Sequence, residues 1–232
     1  HKAAVIEMGV NHPGEMAGLA ETANPTIVLV NNAQREHQEF FDGIEASARE
    51  NGTAIRLLPD EGVAIFPADE IYTDLWRYLA GSRRVITFGF SHDADITASY
   101  RIENGITEMN LTIANQTRKV RLFTQGTHNV RNAMAAAASA CAVGVGFDEI
   151  VYGLESFRPV HGRLESKQAY NGALLIDDTY NANPDSVRAA VDVLAAYGKQ
   201  TILVLGDMGE VGQEGEQYHG EVGAYAKVFS VF

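Results

Sequence analysis

Residues 174–190 have the sequence LLIDDTYNANPDSVRAA, which carries the clearest fold signal in the chain. A short apolar run ends at Asp177 and Asp178, a polar stretch follows, and Pro184 opens a pattern typical of a helix. Proline fits the first turn of a helix because its missing N–H would have no partner there. The stretch therefore predicts a strand, a loop and a helix, the repeating unit of an α/β protein.

Polar side chains also follow other apolar runs, at the points where strands of a parallel sheet would end. Glu7 closes the run at 3–9, and Asn31 and Asn32 close the next one. In open α/β sheets, ligands bind beyond the carboxyl ends of the strands. Together with the polar loop after Asp177, these residues predict a ligand-binding cleft.

The first half of the chain alternates strand-like and helix-like patterns, which is the α/β signature. Continuous apolar runs, typical of parallel strands buried on both faces, occur at 3–9, 25–33, 63–70 and 83–90. Residues 96–124 instead alternate with period 2. They predict antiparallel hairpins at the sheet edge, with turn signals at Asn104-Gly105 and Asn115-Gln116.

The α/β alternation restarts after residues 158–165, RPVHGRLE, which show little hydrophobic pattern and mark the predicted domain boundary. Beyond that boundary the patterns predict the first half of a doubly wound sheet. Its predicted helices lie at 184–196 and 214–226, and its predicted parallel strands lie at 173–177, 200–208 and 227–232. The sequence thus predicts two α/β domains, 1–165 and 166–232.

Composition limits the classes of partner. The 232 residues carry 30 acidic and 18 basic side chains, a net charge of -12, which argues against a nucleic-acid groove. The single cysteine, Cys141, cannot form an internal disulfide and fits a reducing cytoplasm. No apolar segment approaches the roughly 18 residues of a membrane span, and no signal peptide opens the chain. Because the chain begins without Met and stops within an apolar run, we expect a fragment cut at both ends.

One glutamate and two histidines lie at or after predicted strand ends. Glu7, His12 and His37 can converge on a divalent cation. Carboxylate oxygen with solvent suits Mg²⁺, and imidazole widens the choice to Mn²⁺ or Zn²⁺. The alternative is that Glu7 pairs with an arginine and that His12 caps a turn. The spacing alone does not decide between the two.

Other patterns also allow either a site or ordinary structure, and ordinary structure is favoured for the asparagines and the arginine below. Asn129 and Asn132 lie one helical turn apart at a helix start, where asparagine commonly caps but can also contact a base or a ribose. Arg163, in the predicted hinge, suits a phosphate clamp or is simply solvated. The glycine-containing stretch 205–216, LGDMGEVGQEGE, favours a flexible loop and a ligand-binding loop about equally. No G-x-x-x-x-G-K-[ST] phosphate loop occurs in the sequence.

Six stretches resemble, in order and spacing, the Mur ligase family: AVIEMGVNHPGEM, VLVNNAQREHQEFF, GTHNVRNAMAAAA, HGRLE, IDDTYNANPDSVRAA and LVLGDMGEVG. The resemblance implies most of a central ATPase domain with antiparallel hairpins, followed by about half of a Rossmann-like C-terminal domain. The family's UDP-sugar-binding domain and its phosphate loop would precede residue 1. Within the family, the motifs are most similar to members that add D-alanyl-D-alanine to UDP-N-acetylmuramoyl tripeptide.

The resemblance also implies the chemistry, the partners and the site. The expected reaction is ATP-dependent amide bond formation through an acyl phosphate, in peptidoglycan precursor synthesis, with ATP and Mg²⁺ as cofactors. The expected protein is a cytoplasmic monomer without nucleic-acid partners or membrane insertion. The implied residues are Glu7 and His37 for Mg²⁺, Asn129 and Asn132 on the adenine side, Arg163 at the phosphates, Asp178 and Tyr180 at the nucleotide, and Asn11, His12 and Asn181 at the substrates.

One departure from the family pattern concerns a lysine. Many Mur ligases carry a carbamylated lysine that helps to hold a second Mg²⁺, and it would fall near Asn51. No lysine occurs between Lys2 and Lys119, so another group must replace it or the second cation is held differently. A folylpolyglutamate synthase-like ligase and a non-catalytic nucleotide- or peptide-binding module are the alternatives to the leading hypothesis.

Overall fold

The computed structural model describes residues 1–35, 40–103, 106–198 and 200–231. Its helices are α1 (Glu15–Ala23), α2 (Gly43–Arg56), α3 (Thr73–Ala80), α4 (Thr127–Ala142), α5 (Phe147–Ser156), α6 (Pro184–Ala196) and α7 (Gly215–Val228). Its strands are β1 (Ile27–Leu29), β2 (Val63–Pro67), β3 (Arg84–Gly89), β4 (Ile96–Glu103), β5 (Ile106–Ile113), β6 (Gln116–Leu122), β7 (Glu165–Gln168) and β8 (Leu174–Asp177). Within these ranges no helix is both long enough and apolar enough to cross a membrane.

Strands β1 to β6 form one sheet in sequential order. β1 to β4 are parallel, and β4, β5 and β6 form an antiparallel meander at one edge. This mixed sheet confirms the predicted α/β class with antiparallel hairpins. We call the sheet and helices α1 to α5 the amino-terminal part, and β7, β8, α6 and α7 the carboxyl-terminal part.

Helices cover both faces of the six-stranded sheet, and β2 shows how the sequence specifies this. Val63 and Ile65 pack into the core beneath α4 and α5. Their neighbours Ala64 and Phe66 face the other way, into the core formed with α2 and α3. Successive side chains of a strand point to opposite faces, so a continuous apolar run is needed where both faces are buried. The cores fix the carboxyl ends of β1 to β3 beside the start of α4.

The predicted first strand, residues 3–9, is wrong. These residues adopt no strand, and Val5 and Ile6 are exposed. A strand is stabilised by hydrogen bonds to a neighbouring strand. In the described structure, no strand pairs with this segment, so its apolar character alone does not give a strand.

The second hairpin turn lies one residue earlier than predicted. Ala114 and Asn115 form the turn, and Gln116 is already the first residue of β6. Both turn residues have positive φ, 48° and 62°, as a two-residue turn that matches the strand twist requires. The other predicted turn, Asn104-Gly105, lies outside the described residues.

The carboxyl-terminal part departs most from prediction. β8 was predicted, but it pairs antiparallel with β7 instead of lying in a parallel sheet. The stretches 200–208 and 227–232 were predicted as strands, yet they contribute one parallel bridge, Thr201 to Val231. Ile202 and Val204 are exposed. A strand forms along its whole length only when a neighbouring strand offers hydrogen-bonding partners beside it. In the described part of the chain, residues 200–208 have only the single bridge at Thr201.

The helices of the carboxyl-terminal part agree with prediction, and α6 explains why. Pro184 is its first residue, and Asn183 is its N-cap. The Asn183 Oδ1 accepts the N–H groups of Asp185 and Ser186, and the Ser186 hydroxyl accepts the Asn183 N–H in return. This reciprocal cap satisfies the free donors of the first turn from local sequence alone.

Candidate functional site

A cleft of about 410 Å³ lies between the start of α4, the loop after β1 and one face of α6. Both parts of the chain contribute to its lining. The amino-terminal part supplies mainly polar groups, among them Asn31, Asn32, Gln34, Glu70, His128, Arg131 and Asn132. Helix α6 supplies a mostly apolar surface, formed by Ala189, Asp192, Val193 and Ala196. A helix start with polar neighbours facing an apolar surface suits a ligand with a flat apolar body and polar edges.

The two predicted adenine-side asparagines have different positions. Asn132 lines the cleft, and its Oδ1 accepts a hydrogen bond from Asn31 Nδ2 at 2.8 Å. Asn129 does not line the cleft; its Nδ2 donates to the Gln125 carbonyl at 2.7 Å and lies 3.0 Å from His128 Nε2. Asn129 therefore orders the start of α4, whereas Asn132 is available at the cleft surface.

His128 lines the cleft and was not predicted from the sequence. An amide nitrogen only donates, so the contact from Asn129 makes His128 Nε2 an acceptor and places the ring proton on Nδ1. Burial lowers the pKa of His128, against the opposing effects of Asp178 and Asp192. The ring is thus held neutral at the helix start, because a charged imidazolium would lose solvation there.

Two acidic groups near the cleft have different environments. Asp69 is held by Arg131, whose two terminal nitrogens lie 2.7 and 3.0 Å from its carboxylate oxygens. Arg131 also lies 4.9 Å above the Phe90 ring. Glu70 lines the cleft, and burial raises the pKa of its carboxyl. The charge of Arg131 is thus already committed to Asp69, and Glu70 offers a cleft-facing acceptor.

Arg163 and Tyr180 meet where the two parts join. The Arg163 guanidinium lies 4.2 Å from the Tyr180 ring centroid, and the Tyr180 N–H donates to the Gly162 carbonyl at 3.0 Å. Gly162 has a φ of 74°, and a Cβ there would lie 3.1 Å from the Tyr180 nitrogen, so the approach requires glycine. Asn181 is exposed, and its Oδ1 accepts the Ala182 N–H at 2.8 Å.

Asp178 belongs to the same junction. Its Oδ1 accepts the Leu164 N–H at 3.1 Å. Burial raises the pKa of Asp178, and the Leu164 N–H, His128 and Arg163 act in the opposite direction. The structure therefore brings together Asp178, Tyr180 and Arg163, which the family resemblance assigns to the nucleotide, and places His128 from the start of α4 near Asp178. Of these four residues, His128 lines the cleft and the other three lie at the junction outside its lining.

The candidate residues near the amino terminus do not line the cleft. Glu7 is exposed and has no hydrogen bond within the described ranges. The N–H groups of Asn11 and His12 donate to the Glu15 carboxylate at 2.8 and 3.0 Å, which lowers the pKa of Glu15. This contact agrees with the turn-capping alternative for His12. His37 lies outside the described residues.

Asn51, where the family's lysine would fall, is half-buried on α2. The neighbouring Glu50 caps the start of α1, because its Oε1 accepts the N–H groups of Gly14 and Met16 at 2.9 and 2.8 Å. Glu50 therefore performs a structural role at this point of the helix.

A charged cluster that the sequence did not single out lies beside the junction. His161, Glu165 and Asp177 present possible metal-ligand atoms within 4.8 Å of one another. Lys167 Nζ lies 2.6 Å from Asp177 Oδ2 and 3.0 Å from Glu165 Oε2. The Lys167 contact, with help from Thr179, lowers the pKa of Asp177 to about 2. The ammonium group already supplies the positive charge that a cation would bring.

Comparison with known families accounts for both parts of the chain. Residues 1–140 match the family described as the Mur ligase middle domain, and residues 162–231 match the Mur ligase glutamate ligase domain. Over 230 residues the chain is 39% identical to the UDP-N-acetylmuramoyl-tripeptide–D-alanyl-D-alanine ligase of Escherichia coli (strain K12), covering 98% of this chain and 51% of that protein. The chain thus spans about half the length of the curated relatives that it matches.

Solved structures give the same picture. A crystal structure of MurF from Acinetobacter baumannii superposes with a TM-score of 0.94 at 34% identity, covering 100% of this chain and 51% of that one. MurF ligase from Thermotoga maritima in complex with ADP superposes with a TM-score of 0.84 at 24% identity, covering 94% and 50%. At that lower identity the likeness concerns the fold alone.

Proposed function

The chain belongs to the Mur ligase family, and we propose that it forms the central and C-terminal regions of an ATP-dependent ligase. The ligase joins D-alanyl-D-alanine to UDP-N-acetylmuramoyl tripeptide in peptidoglycan precursor synthesis. The division between the regions falls near residue 165, with 1–165 central and 166–232 C-terminal. The protein acts in the cytoplasm as a monomer, where its nucleotide substrates are made and used.

The observation that carries this proposal is the position of the cleft. It lies between the two family-matched parts and is lined by Asn132 on one side and α6 on the other. The E. coli relative named for that activity matches nearly the whole chain, and the cleft lies between the two parts that match the family. These facts support the cleft as the ATP site of the ligase.

The reaction has two steps that this geometry can serve. A carboxylate oxygen of the tripeptide attacks the γ-phosphorus of ATP, ADP leaves, and an acyl phosphate forms. The dipeptide amine then attacks the acyl carbon, phosphate leaves, and the amine proton passes to solvent or to a nearby base. Two parts that meet across a cleft bring these reactants into contact, which removes most of the entropic barrier.

We assign roles to the junction residues accordingly. Asn132 contacts the adenine edge, and Asn129 holds the helix start behind it. Arg163 reaches the ATP phosphates, because a guanidinium matches phosphate oxygens in pairs. Its stacking on Tyr180 restrains the group before the ligand binds. Asp178, half-buried beside His128, faces the nucleotide from the C-terminal region.

The remaining assignments depend on the amino-terminal segment. Glu7 is an exposed carboxylate with no hydrogen bond in the described part of the chain, and such a ligand suits Mg²⁺ together with solvent. Mg²⁺, when bound, neutralises phosphate charge. Glu7 and His37 are the proposed ligands. Asn11, His12 and Asn181 are assigned to the acceptor peptide and the incoming dipeptide.

The test uses the full-length protein that contains this chain. Phosphate release from ATP should require both D-alanyl-D-alanine and UDP-N-acetylmuramoyl tripeptide. Release that needs neither substrate, or that needs a folate and glutamate instead, would contradict the proposal.

A substitution tests the site within the same assay. Arg163→Gln should lower kcat about 100-fold, because a charged donor to the transferring phosphoryl group is lost. Arg158→Gln is the matched control, since Arg158 lies in the same linker but donates to the carbonyls of Glu155 and Phe157 and stacks on Phe123. Equal effects of the two substitutions would remove Arg163 from the site.

A further inference from the structure

Arg35, in the loop after β1, contacts the start of α6 across the cleft. Its Nη2 lies 2.6 Å from Asp185 Oδ1, its Nε lies 3.2 Å from both Asp185 oxygens, and its backbone N–H donates to the same carboxylate. Its Nη1 reaches Glu221 of α7 at 3.2 Å. The guanidinium also lies 5.5 Å from the buried Tyr218 ring. One side chain of the amino-terminal part is thus fully engaged by the other part.

The opposite end of α6 is held by a second contact. Tyr197 is the C-cap residue of α6, and its hydroxyl accepts a hydrogen bond from Gln125 Nε2 at 2.7 Å. Gln125 is buried just before α4. A buried amide donor that lost this partner would leave an unsatisfied group, so the contact favours one position of the helix end.

Between these two contacts, α6 faces the cleft. Ala189, Val193 and Ala196 line it from α6, and Gln34, next to Arg35, lines it from the other side. We propose that Arg35 and Gln125 are positioning residues that hold α6 at both ends and thereby fix it as one wall of the cleft. That the ligand in the cleft is an adenine nucleotide rests on the proposed function. The two contacts that hold α6 are seen in the structure whatever the ligand is.

Charge and burial favour this role over a merely solvated ion pair. The Arg35 and Asp185 side chains are only 18% and 26% exposed. Partly buried, charge-assisted contacts with fork geometry are among the strong polar interactions, whereas exposed pairs contribute little. The acceptor is also in the first turn of α6, where a carboxylate complements the helix dipole.

The two contacts are not needed for either core to form. The amino-terminal part has its own cores on both sheet faces. The carboxyl-terminal part packs Val187 with Met208, Tyr218 and Val222, and Val191 with Ala226 and Val231. Arg35 and Gln125 therefore act on the relative position of α6, and their loss should loosen that helix while leaving the rest of the fold intact.

Hydrogen exchange of the full-length protein without nucleotide tests this directly. Arg35→Gln and Tyr197→Phe should each speed exchange of α6 amides about tenfold, with exchange in α2 and α4 unchanged. Arg35→Lys keeps the charge but loses the fork, so its effect should be intermediate. The controls are Arg49→Gln, which removes an exposed pair with Glu45, and Tyr78→Phe, at an exposed position of α3.

The outcomes distinguish the proposed holding of α6 by Arg35 and Gln125 from a general loss of stability, and they test it separately from the proposed function. Unchanged α6 exchange in Arg35→Gln would overturn the proposal, and so would faster exchange throughout the protein. ADP affinity is then measured by calorimetry, and it should fall about fivefold or more in Arg35→Gln, because a displaced wall loses contacts. If the unmodified protein binds no ADP while α6 exchange responds to the substitutions as expected, the positioning role of Arg35 and Gln125 is supported and the proposed function is contradicted.

Discussion

Burial, rather than a charged partner, sets the protonation of His128 at the start of α4. In its neutral form Nε2 accepts from the Asn129 amide. Protonation would place two donors against each other and would charge a half-buried ring. The pKa of His128 is accordingly lowered from 6.5. Neutral His128 keeps the first turn of α4, and with it Asn132, in place.

This environment predicts a pH dependence of stability. Below about pH 6.5 the unfolded chain binds a proton at this position that the folded protein does not. The free energy of unfolding should therefore fall as the pH falls from that value towards the lower folded pKa, by at most about 1.4 kcal/mol per pH unit. Denaturant unfolding at pH 5 to 8 measures it.

His128→Gln supplies the comparison for that curve. The variant should lack the part of the pH dependence that His128 causes. Above about pH 7.5, His128 is neutral in both the folded and the unfolded protein, so the free energies of unfolding of the variant and the parent should differ by a constant amount. Parallel curves over the whole range would show that His128 does not titrate differently on folding.

At the scale of the element, the β5–β6 hairpin depends on an unusual turn residue. Ala114 has a φ of 48°, a conformation that costs a residue with a Cβ about 1–2 kcal/mol. Ala114→Gly should raise the free energy of unfolding by about 1 kcal/mol, since the strain removed exceeds the added entropy of the unfolded chain.

Ala136→Gly is the matched control for the hairpin variant. Ala136 is exposed in the middle of α4, where the same substitution should lower the free energy of unfolding by about 1 kcal/mol. Opposite signs for one chemical change would trace the effect to backbone conformation. Destabilisation by both substitutions would contradict the turn geometry.

Elements that depend on local sequence could be predicted, and elements that depend on a distant neighbour could not. The start of α6 follows from Asn183 and Pro184 alone. The stretches 3–9 and 200–208 have the composition of strands, but a strand also needs a partner edge, which local patterns do not supply. The same distinction holds in the site.

In the site, motifs close in sequence were predicted together and long-range contacts were missed. Arg163, Asp178 and Tyr180 belong to short stretches that carry the family resemblance, and the structure brings them together. Arg35 meets Asp185 across 150 positions of the sequence, and no periodicity indicates that pairing. The available signal was a basic residue, Arg35, soon after a strand end and an acidic residue, Asp185, in the first turn of a helix.

At the scale of the whole molecule, two separately packed parts enclose a cleft that neither forms alone. The amino-terminal part provides polar groups at strand ends and at the start of α4, and α6 closes the other side. Such an arrangement lets the parts bind different reactants and then bring them together. It also makes the position of α6 as important as the identity of the lining residues.

The same division predicts what this 232-residue chain does when purified by itself. Its sequence contains no G-x-x-x-x-G-K-[ST] phosphate loop, and phosphoryl transfer depends on groups that cradle and neutralise the β- and γ-phosphates. We therefore expect no phosphate release from ATP above a protein-free control, measured over hours. Arg163→Gln in the same chain separates a genuine exception from contamination, because activity that uses the proposed contact of Arg163 with the phosphates would disappear in the variant. Turnover that is clearly above background and lost in Arg163→Gln would contradict this expectation and would mean that the 232 residues suffice for ATP cleavage.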